Sequence, residues 1–590
     1  MGSATAAIGA PRVVPRRRGG ISIRSFAMAA CLIVLGAYLV YPVLLLLALS
    51  FNQAPNTVVP PFDWGLGNWQ KALAMPGLFS SLANSLTIWA SVTVFSFPIA
   101  VAIALLLART NVPFSRGLEF MFWLAFIFPS IASTLGWIML LAPDWGFLNW
   151  GLQQLGVARP GPFNIYSVPG IVWAKLMGDG IAFKVMLLTP AFRNMDGALE
   201  EAARVAGQSS FKTLLRVTLP VMISPIVLVL ALQLIKMFQG FEVEFMIGTR
   251  FNYFVYSTLI YQLVRREEVP QIGIAIVLAS VTLLIIALVI PFQQWIVRRR
   301  IYTTVDSAFR PGLLSLGAWR WPTFGGIALL LFLLTALPLF ILLVGSVMTR
   351  VGFFNAVPLW TMDHWEQVFQ QKRFQDALKT TLTLAVTAGV LSPILFSLLA
   401  YVIVRTRQRG RAILDSIIWA SAAMPGILLG FGLLLMFLMT PGLRLLFGTT
   451  WVLILVVTIS GVTTGTNVFK GVLLQLGASL EEAGRVAGAG WLRTYFRIVI
   501  PVLMPTMVLV GMINFVAAAG ATSSVVLLAS RDTATLSLLA LEFGASGGLL
   551  EEASIISVII TLLTVGVALP MRALALRLGV RHDVAVERTR

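Results

Sequence analysis

Cysteine occurs once in this chain of 590 residues, at Cys31, and histidine only twice, at His364 and His582. A single thiol excludes an internal disulfide framework and any cysteine-based zinc site. Two isolated imidazoles read as solvated loop residues, so no metal centre is expected. Charge is scarce as well: Asp, Glu, Lys and Arg together make up 11% of the residues, against roughly 25% in a soluble domain. No G-x-x-x-x-G-K-[ST] phosphate loop occurs, so nucleotide has to be handled elsewhere. No paired acid and base or activated nucleophile falls inside an apolar run, which leaves no catalytic residues to nominate.

What is present in quantity is apolar sequence, at 58% of the residues. Runs of about 20 apolar residues can cross a hydrocarbon layer as helices. They recur near 26–50, 82–108, 119–142, 168–191, 220–239, 272–297, 323–347, 378–404, 414–439, 451–475, 501–519 and 553–577. About twelve transmembrane helices are therefore expected in an all-α polytopic membrane protein, because only helices satisfy their own backbone groups across such runs. Lys175, Asp179 and Lys184 interrupt the fourth run. The first run follows "PRVVPRRRGG" and is longer than a signal-peptide core, so it reads as a retained anchor. The formal net charge of +19 points to lipid rather than nucleic acid, since the basic residues sit at the ends of apolar runs. "RRR" at 298–300 and "RTRQRGR" at 405–411 place both termini in the cytoplasm by the positive-inside rule.

The chain repeats itself. Pro42 and Pro338, Ser50 and Ser346, Trp69 and Trp365, Arg109 and Arg405, Thr110 and Thr406, and Pro129 and Pro425 all stand 296 positions apart. Beyond the third run the offset becomes 281, because the second copy lacks most of the loop "APDWGFLNWGLQQLGVARPGPFNIYSVPG". Chance similarity of apolar runs does not account for prolines, aromatics and polar anchors at one offset. The expected organisation is a cytoplasmic basic tail at 1–25, a first six-helix unit at 26–297, and a cytoplasmic linker at 298–322. A second unit follows at 323–578, then a tail at 579–590, as a parallel repeat.

One charged stretch also occurs twice: "LEEAARVAGQSSFKTLLRVTLP" from Leu199 and "LEEAGRVAGAGWLRTYFRIVIP" from Leu480. Paired carboxylates suit the positive end of a helix, and Gly207 or Gly488 can stop it in the left-handed conformation. Ser209 and Ser210 offer acceptors to start a second helix, whereas the other copy has Ala489 and Gly490 there. Two short angled helices on the cytoplasmic face are expected in each unit. Their small residues (Ala202, Ala203 and Ala206; Ala483, Gly484 and Ala487) suit a groove in a partner protein.

The spacing E-A-A-x3-G-x9-I-x-L-P resembles the "EAA" loop of ABC importer permeases. The first copy presents Glu201-Ala202-Ala203, Gly207, Val217 and Leu219-Pro220. The second presents Glu482-Ala483-Gly484, Gly488, Ile498 and Ile500-Pro501. Val217, Gly484 and Ile500 depart from the pattern. The resemblance covers both units and implies a fused, MetI-like type I importer permease in a bacterial inner membrane. It implies that the loops at 193–220 and 476–501 are coupling helices, docking one ATPase copy each of a homodimeric ABC ATPase. The docking residues would be Glu200, Glu201, Ala202, Ala203, Arg204, Gly207 and Pro220, with Glu481, Glu482, Ala483, Gly484, Arg485, Gly488 and Pro501. It also implies an extracytoplasmic substrate-binding protein, no cofactor on this chain, and ATP and Mg on the partner ATPase. Among fused permeases the regions after the third and fifth helices resemble the ferric-iron group, with relatives serving thiamine, polyamine or phosphonate; ferric iron is the expected solute.

Ionisable residues at membrane depth are functional candidates. Lys236, Glu242 and Glu244 cluster after the fifth run of the first unit, where the second unit has Ser523 and Val525 in place of the acids. They read either as a cation-attracting mouth or as a rim that meets the binding protein. Lys470 reads as a snorkelling side chain. Two six-helix halves also suit a secondary transporter, but its G-x-x-x-D-R-x-G-R-type loop is missing from "RTNVPFSRGLE" and "RTRQRGRAILD".

Overall fold

The computed structural model describes residues 29–579 apart from 31, 55–59, 158–160, 196–197, 266, 300–314, 407–409, 422–423, 478 and 547. The expected tails, most of the linker, Cys31, His582 and the side chains of Arg204 and Arg485 lie outside the described residues.

Each expected apolar run is helical, but not all are single rods. In the first unit the helices are α1 (Leu32–Leu49), α2 (Pro76–Arg109), α3 (Ser115–Ile127) and α4 (Ser130–Leu141). After them come α5 (168–193), α6 (Ala198–Val205), α7 (210–221), α8 (Ile223–Ile235), α9 (Tyr256–Arg265) and α10 (Ile272–Arg299). The second unit has α11 (Gly317–Val347), α12 (Lys372–Arg405), α13 (Arg411–Ser421), α14 (Gly426–Met439) and α15 (Thr450–Ser460). It continues through α16 (Val462–Gln475), α17 (Ser479–Val486), α18 (Trp491–Ala519), α19 (Leu536–Ser546) and α20 (Leu550–Arg577). Among the described residues the extended structure is two isolated bridges, Asn52 to Trp64 and Met348 to Trp360, themselves repeat-related.

Among the described residues six helices are long and apolar enough to span, and three bent pairs, each counted as one span, bring the number to nine. The pairs α3–α4 and α13–α14 bend by 92° and 113°. Both bends fall at Pro129 and Pro425, whose missing N–H and fixed φ break the helix. The other three expected spans correspond to α5, α8 and α10. Charged residues and a backbone break at Gly178 (φ −88°, ψ −120°) interrupt α5, and α8 has only 13 residues. Phe95, Leu329 and Phe340 stand exposed on the outer faces, as expected where the surrounding solvent is hydrocarbon.

The duplication is visible in element lengths. α2 and α12 each have 34 residues, and α10 and α20 each have 28. The units also exchange their first helices. Pro338 of α11 lies against Gly136 of α4, and Pro42 of α1 lies against Gly432 of α14. Each first helix thus packs on the other unit's broken third span, so the halves form one interlocked core.

Candidate functional site

Two repeat-related knuckles stand at one end of the helices. In each, the short helix α6 or α17 ends in a glycine with positive φ, +79° at Gly207 and +77° at Gly488. The N–H of Gln208 donates to the Ala203 carbonyl at 3.0 Å, and that of Ala489 to the Gly484 carbonyl at 2.9 Å. This is the six-to-one closure of a Schellman cap, which places the glycine in the left-handed region. Ser209 then starts α7, its Oγ accepting from the Lys212 N–H at 3.5 Å. Gly207→Val and Gly488→Val force a β-branched residue into that region and are expected to destabilise each knuckle by about 1–2 kcal/mol. Faster amide exchange confined to residues 198–213 or 479–494 would register it; unchanged exchange would refute it.

The first carboxylate of each Glu-Glu pair points inward. Glu200 is 0% exposed; its Oε2 lies 2.6 Å from Nη2 of Arg109, the last residue of α2. Its Oε1 accepts from the Thr218 hydroxyl at 2.8 Å, and Arg109 Nη1 donates to the Met195 carbonyl at 3.0 Å. In the second unit Arg405 Nε lies 3.0 Å from Glu481 Oε1, and Arg405 Nη2 donates to the Leu473 carbonyl at 2.8 Å and also to that of Leu476. Tyr401 donates to Glu481 Oε2 at 3.0 Å. The Arg–Glu clasp is therefore kept, and a different hydroxyl satisfies the second oxygen, as buried carboxylates require. Glu200 and Glu481, expected among the docking residues, instead tie each knuckle to its own unit.

What faces outward is a different set. Glu201, Ala202 and Ala206 are exposed, as are Glu482, Ala483 and Ala487. Between them Val205 and Val486 stand 90% exposed. The sequence reading passed over these valines, although their recurrence at one offset inside a polar helix was a usable signal. Ala203 is half-buried and Gly484 fully so. A side chain at Gly484 would meet Ile498 Cδ1 at 2.8 Å. The small residue at 484 thus leaves room for the Ile498 side chain. Pro220 and Pro501 open the spans that leave the knuckles.

At the far end of α8 the first unit encloses a polar cavity of about 310 Å³. Lys236, Glu242 and Glu244 all line it, together with Lys175, Asp179, Gln233 and Trp89. Ser523 does not; it lies against Gly426 in the second unit. Glu244 is 3% exposed and turns into the cavity, whereas Lys236 and Glu242, which also line it, are half-buried. Lys175 Nζ sits 2.7 Å from Glu244 Oε1, and Lys236 Nζ sits 3.0 Å from Asp179 Oδ2. Gly240 is glycine because a Cβ there would fall 2.3 Å from Glu244 Oε1 and 2.9 Å from Lys175 Nζ. Of the charges that interrupt the fourth run, Lys175 is therefore the partner of an acid after the fifth, and Asp179 is the partner of Lys236. Their four-residue spacing inside an apolar run was the signal that could have found them. Lys470 likewise has a partner, Asp415, at 2.6 Å, rather than reaching for lipid headgroups.

The apolar helices, the interlocked first spans and the two clasped knuckles define a multi-pass helical membrane protein. Residues 393–579 match the family described as "Binding-protein-dependent transport system inner membrane component". The chain is a multi-pass inner-membrane protein. It is 23% identical over 389 residues to the ferric transport system permease protein FbpB of Actinobacillus pleuropneumoniae, covering 62% of this chain and 53% of that protein. It is 23% identical over 375 residues to a putative ferric transport permease FbpB of Haemophilus influenzae, covering 62% of this chain and 58% of that protein. The chain thus spans little more than half the length of these relatives. The maltodextrin transport permease MdxG of Bacillus subtilis is 27% identical over 187 residues, 30% of this chain and 65% of that protein.

Proposed function

We propose that this chain is the membrane permease of an ATP-driven, binding-protein-dependent importer. ATP hydrolysis takes place on a separate homodimeric ATPase, one copy under each knuckle. The carrying observation is the pair of Arg-clasped knuckles, each fixed to the end of a 34-residue helix. A helix of that length is a strut of about 50 Å, so a push at the knuckle is delivered to the opposite face. Closure of the ATPases draws the knuckles together and tilts the struts; reset reverses the tilt. Two interlocked halves rocking in this way supply alternating access. The knuckle side is then cytoplasmic, and a substrate-binding protein delivers cargo on the other. Ferric iron is the proposed solute, supported by the two relatives with the longest matched stretches; the sugar permease matches over a shorter one.

The exposed residues define the test. The double variant Glu201→Ala, Glu482→Ala removes one charge-assisted contact per knuckle, worth about 1.5–3 kcal/mol each. Co-purification of the ATPase and ATP-driven uptake are expected to fall at least tenfold, with Val205→Asp, Val486→Asp doing the same through the apolar contact. Uptake at wild-type rate with the ATPase still bound would refute the assignment. Transport at full speed without nucleotide would favour a secondary transporter.

A further inference from the structure

The two units differ most where the polar cavity lies. Lys175, Asp179, Lys184, Lys236, Glu242 and Glu244 correspond, at the 281 offset, to Val456, Ser460, Gly465, Ala517, Ser523 and Val525. Every ionisable group of the cluster is neutral in the second unit, and Gly240, which makes room for the Lys175–Glu244 pair, becomes Ala521. The second unit builds the same helices without these charges, so the fold does not require them. Lys184 and Glu244 are buried and Lys175, Lys236 and Glu242 half-buried; keeping that many ionisable groups out of water is costly, and a ligand is a reason to keep them.

The cations in the cluster are all engaged. Lys175 holds Glu244. Lys236 holds Asp179 and lies 3.9 Å from the Phe183 ring centre. Lys184 donates to the Gly180 carbonyl at 2.6 Å. What is left unmatched is acceptor oxygen. Glu244 Oε2 and Gln233 Oε1 are buried without a hydrogen-bond partner, and both residues line the cavity beside the Glu242 carboxylate. Gln233 is 8% exposed. Unpaired buried acceptors cost free energy unless a donor or cation reaches them. The backbone break at Gly178 also opens here, and irregular backbone at membrane depth is tolerated where it lines a cavity. Trp89, Phe126 and Phe128 complete the walls and offer ring faces to a positive charge.

We propose that this cavity is a transient binding station for a small cation, held by Glu242, Glu244 and Gln233 and present in the first unit only. It deepens the importer reading and rests on it. Among the described residues no group of three or more His, Cys, Asp or Glu side chains is placed to chelate a metal. The station therefore holds its cargo loosely, as a path that must also release it requires. The cation is either a hard metal ion or an organic ammonium, and the cavity volume, near the lower end of ligand pockets at roughly 300–1,000 Å³, suits a small one.

The test uses the full chain in lipid nanodiscs with three probes. Tb³⁺ reports through luminescence sensitised by Trp89, putrescine reports as a shift in thermal unfolding, and inorganic phosphate serves as the anion. Glu242→Gln is isosteric and lies outside the two ion pairs, so folding is retained; Glu244→Gln probes the buried oxygen. Binding of Tb³⁺ or putrescine, weakened at least about tenfold by Glu242→Gln, is the expected result, and the responding probe identifies the kind of cation. Phosphate binding alone, no binding, or cation binding that both variants leave unchanged overturns the proposal. ATP-driven uptake by the reconstituted assembly is measured in parallel. Uptake that needs ATP while no cation binds sinks the station and spares the importer; cation binding with nucleotide-independent transport does the reverse.

Discussion

Arg109→Ala is expected to release the first knuckle from its unit. The substitution strands Glu200, which is fully buried, with the Thr218 hydroxyl as its described remaining donor. Breaking a buried ion pair from one side costs about 3–5 kcal/mol, because an uncompensated charge stays behind. Arg109 also holds the Met195 carbonyl, so the chain entering α6 loses its anchor at the same time. The loss is local: α2 remains helical, while amides of residues 198–218 exchange at least a hundredfold faster. Arg405→Ala should do less. Glu481 keeps the Tyr401 hydroxyl and is 6% exposed, so water relieves part of the stranded charge. Replacing both partners, as in Arg109→Met with Glu200→Leu, should recover much of the stability, since apolar pairs of similar volume often substitute for buried ion pairs. If Arg109→Ala left exchange in 198–218 at the wild-type rate, the clasp would have no structural role. If the apolar double variant restored protection and ATPase docking as well, the clasp would be purely a fastening.

The second large effect is expected at Gly136. A Cβ there would lie 2.8 Å from both Cα and the carbonyl oxygen of Pro338. These are backbone atoms of a helix in the other unit, so no rotamer change relieves the clash and α4 and α11 must move apart. Overpacking of this kind costs about 1–3 kcal/mol for a single methyl, and Gly136→Val adds two more carbons at the same seam. Gly432→Ala is the internal control. Its Cβ would meet Pro42 Cβ at 3.0 Å, Leu46 Cδ1 at 3.1 Å and the Pro42 carbonyl oxygen at 3.4 Å, longer contacts that a shift of a few tenths of an ångström relieves. Thermal unfolding in detergent should therefore show Gly136→Ala lowered by clearly more than Gly432→Ala, with Gly136→Val lowest. Equal shifts for the two alanine variants would mean that the close approach at Gly136 does not limit packing.

Both expectations concern contacts between residues far apart in sequence, yet one partner in each contact was visible as a repeat anchor. Arg109 and Arg405 were recognisable as a pair at one offset, as were Pro42 and Pro338. Their repetition announced importance without announcing partners. Glu200 and Glu201 look alike as neighbours in "LEEAA". In an α-helix, adjacent residues point about 100° apart, so one faces the unit and the other faces away. Which one turns inward depends on where the end of α2 lies, and that is a tertiary matter.

The amino-acid sequence alone determined the broad character of the molecule: apolar runs that only helices can satisfy, a duplication marked by prolines and tryptophans, and a charged knuckle whose glycine has to adopt positive φ. These follow from local chemistry, namely backbone hydrogen bonding in hydrocarbon, side-chain periodicity and the freedom of a residue without Cβ. Only the folded arrangement decided that Glu200 and Glu481 are fasteners, that Val205 and Val486 form the outward face, and that Lys175 and Asp179 meet Glu244 and Lys236 around a cavity. The reason is one of range. An ion pair or a close backbone approach depends on distances of a few ångströms between residues tens to hundreds of positions apart, and no periodicity within a single helix encodes them.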